Sequence, residues 1–316
     1  MERGVGTRAL ILRVALALVA FVATGTVHAH MDTSARIERG GSFVPRPDRA
    51  RVSALGFDSV VADYYWLMAV QAVGGSVGGH DLPIDHLGRL IDVVTTVDPW
   101  VDHAYRFAAL WLTDDEESVR RANRLLLRGV AHHPTDWRNR HYLGFNHFFY
   151  LEENQQAADW FESAIPLKGS PRYLGPLVAR LRLERGGLET ATAFLRELAR
   201  SSDDEYARAE YEKSLDEIQV EGAARFLDAA RDEYGRRFGA DIARVEDLLA
   251  DPNPVLRVLP RAHPHLDGWT WVLDPESGEI VSSFYGSRYQ LHEHPSDRAR
   301  RARWKALRAA NEGGEG

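Results

Sequence analysis

The stretch that decides the fold is residues 143–164, which read LGFNHFFYLEENQQAADWFESA. Within it, Ala157, Phe161 and Ala164 are spaced by four and three residues, so they fall on one face of a helix. The two small residues allow a neighbouring backbone to approach closely, and the large residue between them fills the adjacent gap. The stretch therefore predicts closely packed helices.

The same spacing recurs along the chain, with groups that begin at residues 87, 122, 157 and 191. The intervals between these starting positions are 35, 35 and 34 residues. A fixed period of this length indicates a repeated helical unit. The four groups are Leu87-Ile91-Val94, Ala122-Leu126-Gly129, Ala157-Phe161-Ala164 and Ala191-Leu195-Leu198.

This organisation resembles the tetratricopeptide repeat family, whose unit of about 34 residues is a helical hairpin with small residues where its helices cross. The resemblance covers roughly residues 54–200, with units that start near 54, 100, 136 and 171. The best unit follows the family's order with Leu143-Gly144, Phe148, Ala157, Phe161 and Ala164.

The repeats also depart from the family's pattern. Trp137 lies three places too early for the family's tryptophan, and Ala108-Ala109 stands where Leu-Gly is usual. One residue must be inserted between Gly144 and Ala157 to keep the register. The repeats are divergent, so the family's groove contacts transfer only loosely.

We predict a mainly α fold: a tetratricopeptide-like antiparallel helix-hairpin solenoid with a small C-terminal β-hairpin. Alternating apolar and polar residues around a turn at 274–278 indicate that hairpin. The predicted segments are a signal peptide or N-terminal membrane anchor (1–29), a linker (30–53), the repeats (54–203), a helical cap (204–251), a Pro/His-rich loop and β-hairpin (252–295) and a basic tail (296–316). Within the cap we predict shorter helices over 205–219, 222–236 and 241–250. The basic tail is predicted to be a short surface helix or disordered.

Composition narrows the function. The net charge of −7 argues against nucleic acid as a main partner, because phosphate binding needs a concentrated basic surface. The chain has no cysteine, which excludes disulfides, thiolate zinc sites and a catalytic cysteine. We find no sequence motif of a common hydrolase or phosphate-binding loop, and no cofactor is predicted.

The N-terminus has the pattern of an export signal. Arg3, Arg8 and Arg13 precede an apolar run over 14–23, and small residues at 27–29 offer a cleavage position. The alternative is an uncleaved membrane tether, although its apolar stretch of about 14 to 18 residues is short for a span. Either way the chain is expected to be exported, as a periplasmic protein or anchored to the inner membrane and facing the periplasm.

Two groups of residues are candidates for binding a protein partner. Tyr64, Tyr65 and Trp66 lie on a helix with apolar residues on every side, so they either line a binding groove or are buried. The resemblance implies that the inner face of each unit's first helix meets the ligand; otherwise this face is only solvated. The candidates on that face are Arg106, Arg140, Asn146 and His147.

Two functions follow from these patterns. The first is a non-catalytic scaffold or adaptor that binds protein partners in the bacterial cell envelope, in a secretion, pilus or transport complex. The second is a metal-dependent envelope hydrolase, because imidazole and carboxylate groups bind zinc. Its ligands would come from His263, His265, His292, Glu293 and His294, which are otherwise surface residues.

Overall fold

The computed structural model describes residues 43–76, 84–250, 252–291 and 295–313, with a few isolated residues between 15 and 26. It divides into two units, Met1–Pro45 and Arg46–Gly316, and every element named below belongs to the second. The predicted mainly α fold with a small C-terminal β-hairpin is confirmed. The elements are α1 (Pro47–Ser53), α2 (Asp58–Ser76), α3 (Ile84–Val97), α4 (Asp102–Trp111), α5 (Glu116–His132), α6 (Trp137–Phe149), α7 (Asn154–Ala164), α8 (Leu174–Ser201), α9 (Glu205–Phe238), a 3-10 helix (Val245–Leu249), β1 (Trp271–Leu273), β2 (Ile280–Ser282) and α10 (Pro295–Gly313).

Consecutive helices pack against each other, and the periodic residues lie where they meet. The pairs α2–α3, α4–α5 and α6–α7 are in contact, and each pair also contacts the next. Leu87, Ala122, Ala157 and Ala191, the first residue of each periodic group, are all 0% exposed. The period in the sequence is therefore a period in the core.

The range of α8 contains both helices of the fourth hairpin. Gly187 interrupts this helix with φ 71° and ψ −178°, a conformation that glycine adopts without a Cβ clash. A Cβ placed on Gly175 would lie 3.1 Å from Leu198 Cδ1. In a straight helix, residues 23 positions apart are separated by about 34 Å. The two halves of α8 therefore fold back on each other.

The helix crossing in the best repeat unit depends on a missing side chain. A Cβ added to Gly144 on α6 would lie 2.6 Å from the ring of Phe161 on α7, which is shorter than any ordinary contact. Phe161 is 1% exposed, so its ring has little room to move. Glycine at residue 144 thus lets the two helices approach, as the sequence spacing predicts.

The structure differs from the prediction in the linker and in the helical cap, and it has the helical alternative for the basic tail. Residues 47–53 of the predicted linker form α1, which begins with a proline and packs its buried Ala50 toward α3. The cap contains one long helix, α9, where two were predicted, because Gly222 continues the helix and its buried neighbours Val220 and Ala224 pack into the core. The basic tail is the helix α10, which contacts the second and third hairpins through Trp304.

The C-terminal sheet has the predicted hairpin form. β1 and β2 pair antiparallel, with Val272 opposite Val281. The turn between them is closed by the side chain of Asp274, which accepts hydrogen bonds from the backbone and hydroxyl of Ser277, and by Gly278 at φ 71°. Trp271 and Ile280 are buried against α9, so the sheet belongs to the core around that helix.

The predicted export segment, residues 1–29, lies almost wholly outside the described residues. Among the residues that the structure describes, no helix combines the length and the apolar character needed to cross a membrane. Signal peptide and membrane anchor both stay predictions.

Candidate partner-binding surface

One side of α2 exposes a row of apolar side chains. Val60, Tyr64 and Leu67, spaced by four and three residues, are 65%, 59% and 60% exposed, and Val70 extends the row. We call these four residues the α2 apolar face. The opposite side of the helix is buried through Ala62, Ala69 and Val73. Terminal units of helical repeats usually have a polar outer face, and contiguous exposed apolar surface marks interaction sites.

The three predicted aromatic residues of α2 point in different directions. Tyr64 belongs to the α2 apolar face. Tyr65 is half-buried beside it, with ring centroids 5.2 Å apart, and burial raises its pKa. Trp66 packs against the next hairpin, with its ring 4.6 Å from His103 and 4.9 Å from Phe107. Only Tyr64 therefore lies clearly on a surface that a partner can reach.

Arg106 and Arg140 both interact with their own chain. The guanidinium of Arg106 lies 3.1 Å from Asp102 and 3.2 Å from Asp136, which caps α6, so it ties two successive hairpins together. Arg140 donates a hydrogen bond of 2.7 Å to the carbonyl of Pro134. Arg140 remains partly exposed, which is compatible with its predicted role in binding a partner.

Asn146 and His147 belong to a polar network between the second and third hairpins. Asn146 is 0% exposed, and its amide donates to Asn123 Oδ1 over 2.7 Å. His147 Nδ1 lies 2.6 Å from Glu153, which also pairs with Arg120 at 2.9 Å. Burial opposes ionisation of Glu153, but the hydrogen bonds from Arg120 and His147 outweigh it and lower its pKa. The burial of Asn146 removes it from the predicted binding surface.

His141, on the same helix, has a half-buried ring, and this burial lowers its pKa. Its Nε2 lies 2.8 Å from the hydroxyl of Tyr173 at the start of the next hairpin. The ring therefore stays neutral in the folded protein at a pH where the unfolded chain, with a histidine pKa of about 6.5, takes up a proton.

We expect the free energy of unfolding to fall as the pH decreases below about 6.5, because the unfolded chain then binds more protons than the folded one. His141→Gln should remove this part of the pH dependence. Urea midpoints of both proteins, measured between pH 7.5 and pH 5, test the expectation. An identical pH dependence in the two proteins would contradict it.

The described histidines of the predicted metal site have other partners. His263 is buried, and its Nδ1 accepts hydrogen bonds from the backbone N–H groups of His265 and Leu266, over 3.1 and 3.0 Å. His265 Nε2 lies 3.0 Å from Asp216. Within the described ranges, no group of three His, Asp or Glu residues could hold a metal ion. Residues 292–294, which carry the other three candidates, lie outside the described residues.

A charged cluster that the sequence did not predict joins α9 to the C-terminal segment. Arg288 binds Glu221 through two hydrogen bonds of 2.8 and 2.9 Å and Asp228 through one of 2.7 Å. Beside them is a cavity of about 200 Å³, lined also by Arg180 and Tyr289. The hydroxyl of Tyr289 has no hydrogen-bond partner among the described residues. No sequence pattern signals this cluster, because Glu221 and Arg288 are 67 residues apart.

The fold and its surfaces define a class of protein: a stack of helical hairpins with a small β-hairpin at its C-terminal end and an exposed apolar face on α2. No protein-family model matches the chain, and the comparison with curated proteins gives no match.

Proposed function

We propose that this protein is a tetratricopeptide-type scaffold that binds other proteins of the bacterial cell envelope and catalyses no reaction. The observation that carries the proposal is the α2 apolar face. Burying an aromatic or aliphatic side chain there stabilises a complex by roughly 1.5–3 kcal/mol, and the face presents several such side chains together. Interface residues that contribute most are typically clustered, and the four residues of the α2 apolar face lie along one side of a single helix.

The proposed location is outside the cytoplasm, in the periplasm or on the inner membrane facing it. The support is the N-terminal order of three arginines, an apolar run and small residues. The partners of such a scaffold are proteins of a secretion, pilus or transport complex. Arg140, which is partly exposed near the start of α6, is the polar residue that we propose contacts the partner.

Leu67→Glu is expected to reduce partner recovery by roughly 30-fold, since loss of a central interface residue costs at least about 2 kcal/mol. The tagged full-length chain would be crosslinked in intact cells, purified, and its partners quantified by mass spectrometry. Leu127→Glu is the matched control, because Leu127 is an exposed leucine on α5, away from the α2 apolar face.

Circular dichroism spectra of both variants should match the wild type, which separates binding from folding. Full recovery of every partner by Leu67→Glu would contradict the proposal. Loss of the same partners from Leu127→Glu would show that the effect is not specific to the α2 apolar face.

A further inference from the structure

Among the described side chains of α10, Trp304 is the buried one that attaches the helix to the repeats. Trp304 is 7% exposed, and its indole N–H donates a hydrogen bond of 3.0 Å to the carbonyl of Thr113, which follows α4. The same ring lies 5.7 Å from that of Tyr150, which follows α6. Trp304 thus contacts two successive hairpins at once.

Basic side chains flank this tryptophan on the same surface. The guanidinium of Arg300 lies 4.4 Å from the ring of Phe149, and that of Arg301 lies 4.8 Å from Phe148. In such cation–π contacts the positive guanidinium is attracted to the electron-rich face of the ring. Lys305 pairs with Glu152 at 2.5 Å. The residues of α10 that contact the repeats are therefore an Arg-Arg pair (300–301) and, one helical turn later, a Trp-Lys pair (304–305).

The repeats build the receiving surface from their own residues. We call it the aromatic cradle: Thr113, Phe148, Phe149, Tyr150 and Glu152. Phe149 stacks on Phe145 at 5.2 Å and meets Tyr150 edge-on at 4.9 Å, so the rings are organised by the third hairpin itself. Glu152 has φ 57°, a strained value for a residue with a side chain, and such strain is found preferentially at binding sites.

Part of α10 faces solvent. Among the described side chains of this helix, residues 296–299, 302, 303 and 306 are exposed, whereas Trp304 is buried and Arg301 half-buried. A helix attached along one narrow strip behaves as a ligand that its own chain supplies at a high effective concentration. A segment of the same chemistry on another protein satisfies the same contacts.

We propose that the aromatic cradle is a binding site for a basic, tryptophan-bearing amphipathic helix of a partner protein, and that α10 occupies it until such a helix displaces it. The inference rests on the proposed scaffold function, for which it specifies a second surface and the chemistry of its partner. It adds regulation, because the partner must compete with α10.

The first experiment measures binding of a fluorescent peptide of residues 295–313 to the full-length protein by anisotropy. Trp304→Ala should bind this peptide at least about tenfold more tightly than the wild type, in which the tethered helix competes at an effective concentration on the order of 1 mM. Trp269→Ala, which removes an exposed tryptophan of the C-terminal segment, is the matched control and should behave as the wild type.

A charge swap tests where the peptide binds. Adding Glu152→Lys to the Trp304→Ala protein should weaken binding of the peptide, and a peptide carrying Lys305→Glu should restore it. If Trp304→Ala loses helical circular dichroism, the full-length double variant Arg301→Ala, Lys305→Glu takes its place. Equal peptide affinity of the wild type and these opened variants would overturn the proposal.

The second experiment asks whether a partner uses the cradle. Crosslinked purification with Trp304→Ala should recover more of at least one envelope protein than the wild type does, and the free 295–313 peptide should displace it. Binding of the peptide without displacement of any protein would overturn the partner assignment. Leu67→Glu tests the α2 apolar face separately. A negative result for the aromatic cradle therefore does not decide the scaffold function, which the Leu67→Glu experiment tests by itself.

Discussion

Arg288→Ala is expected to lower the free energy of unfolding by about 2–3 kcal/mol, because the buried carboxylate of Glu221 loses two charged hydrogen bonds and keeps Arg225 as its remaining charged partner. Glu221 is 5% exposed and receives two hydrogen bonds from Arg288, in addition to a backbone N–H from Tyr289. Chemical denaturation monitored by circular dichroism measures the change. The C-terminal segment should also become more sensitive to proteolysis, since Arg288 anchors it to α9.

Arg261→Ala is the matched control for this prediction. Arg261 also lies in the C-terminal segment, but its ion pair with Asp267 is exposed and should contribute less than about 1 kcal/mol. The double variant Glu221→Ala, Arg288→Ala should be less destabilised than the sum of the two single variants, because neither charge is then left alone. A loss below 1 kcal/mol in Arg288→Ala would contradict the role assigned to the cluster.

Phe161→Ala should destabilise the protein by about 3–5 kcal/mol, the range for removing a buried aromatic ring. The ring fills the space above Gly144 and belongs to the same core cluster as Ala157, Ala164 and Leu174. Its loss leaves a cavity at the centre of the stack, which the close helix crossing cannot collapse to fill. Denaturant midpoints and slopes report both the loss and any change in cooperativity.

Gln156→Ala, an exposed substitution on the same helix, should change the free energy of unfolding by no more than about 0.5 kcal/mol. A similarly small effect for Phe161→Ala would mean that the third hairpin does not hold its neighbours together. A large effect confined to the third hairpin, seen by hydrogen exchange, would argue against one continuous core.

The repeat could be found in the sequence because its signal is local and recurs. Ala157, Phe161 and Ala164 meet a neighbouring helix within their own unit, so each unit carries the same spacing, and the structure buries all of these positions. The β-hairpin was predictable for a similar reason, since Asp274 and Gly278 form the turn within five residues. The fold class and the unit starts follow from such patterns.

The surfaces were less predictable, because polar residues look alike whether they are solvated or paired. Asn146 was expected to meet a partner, yet it is buried against Asn123 of the preceding hairpin. For Trp66 the sequence leaves a groove-lining and a buried position open, and the structure packs its ring against Phe107. The side of an all-apolar helix that becomes buried depends on the neighbouring helices. The sequence pattern of the helix itself does not predict that side.

The amino-acid sequence by itself determined the hairpin period, the helical class and the places where backbones approach, because these depend on residues within one or two turns of each other. Only the tertiary structure decided that Arg288 meets Glu221, that Trp304 docks on Tyr150, and that Val60, Tyr64 and Leu67 remain exposed. These contacts depend on how segments that are distant in the sequence come together in the fold. Helical spacing predicts only which nearby residues share a face of one helix.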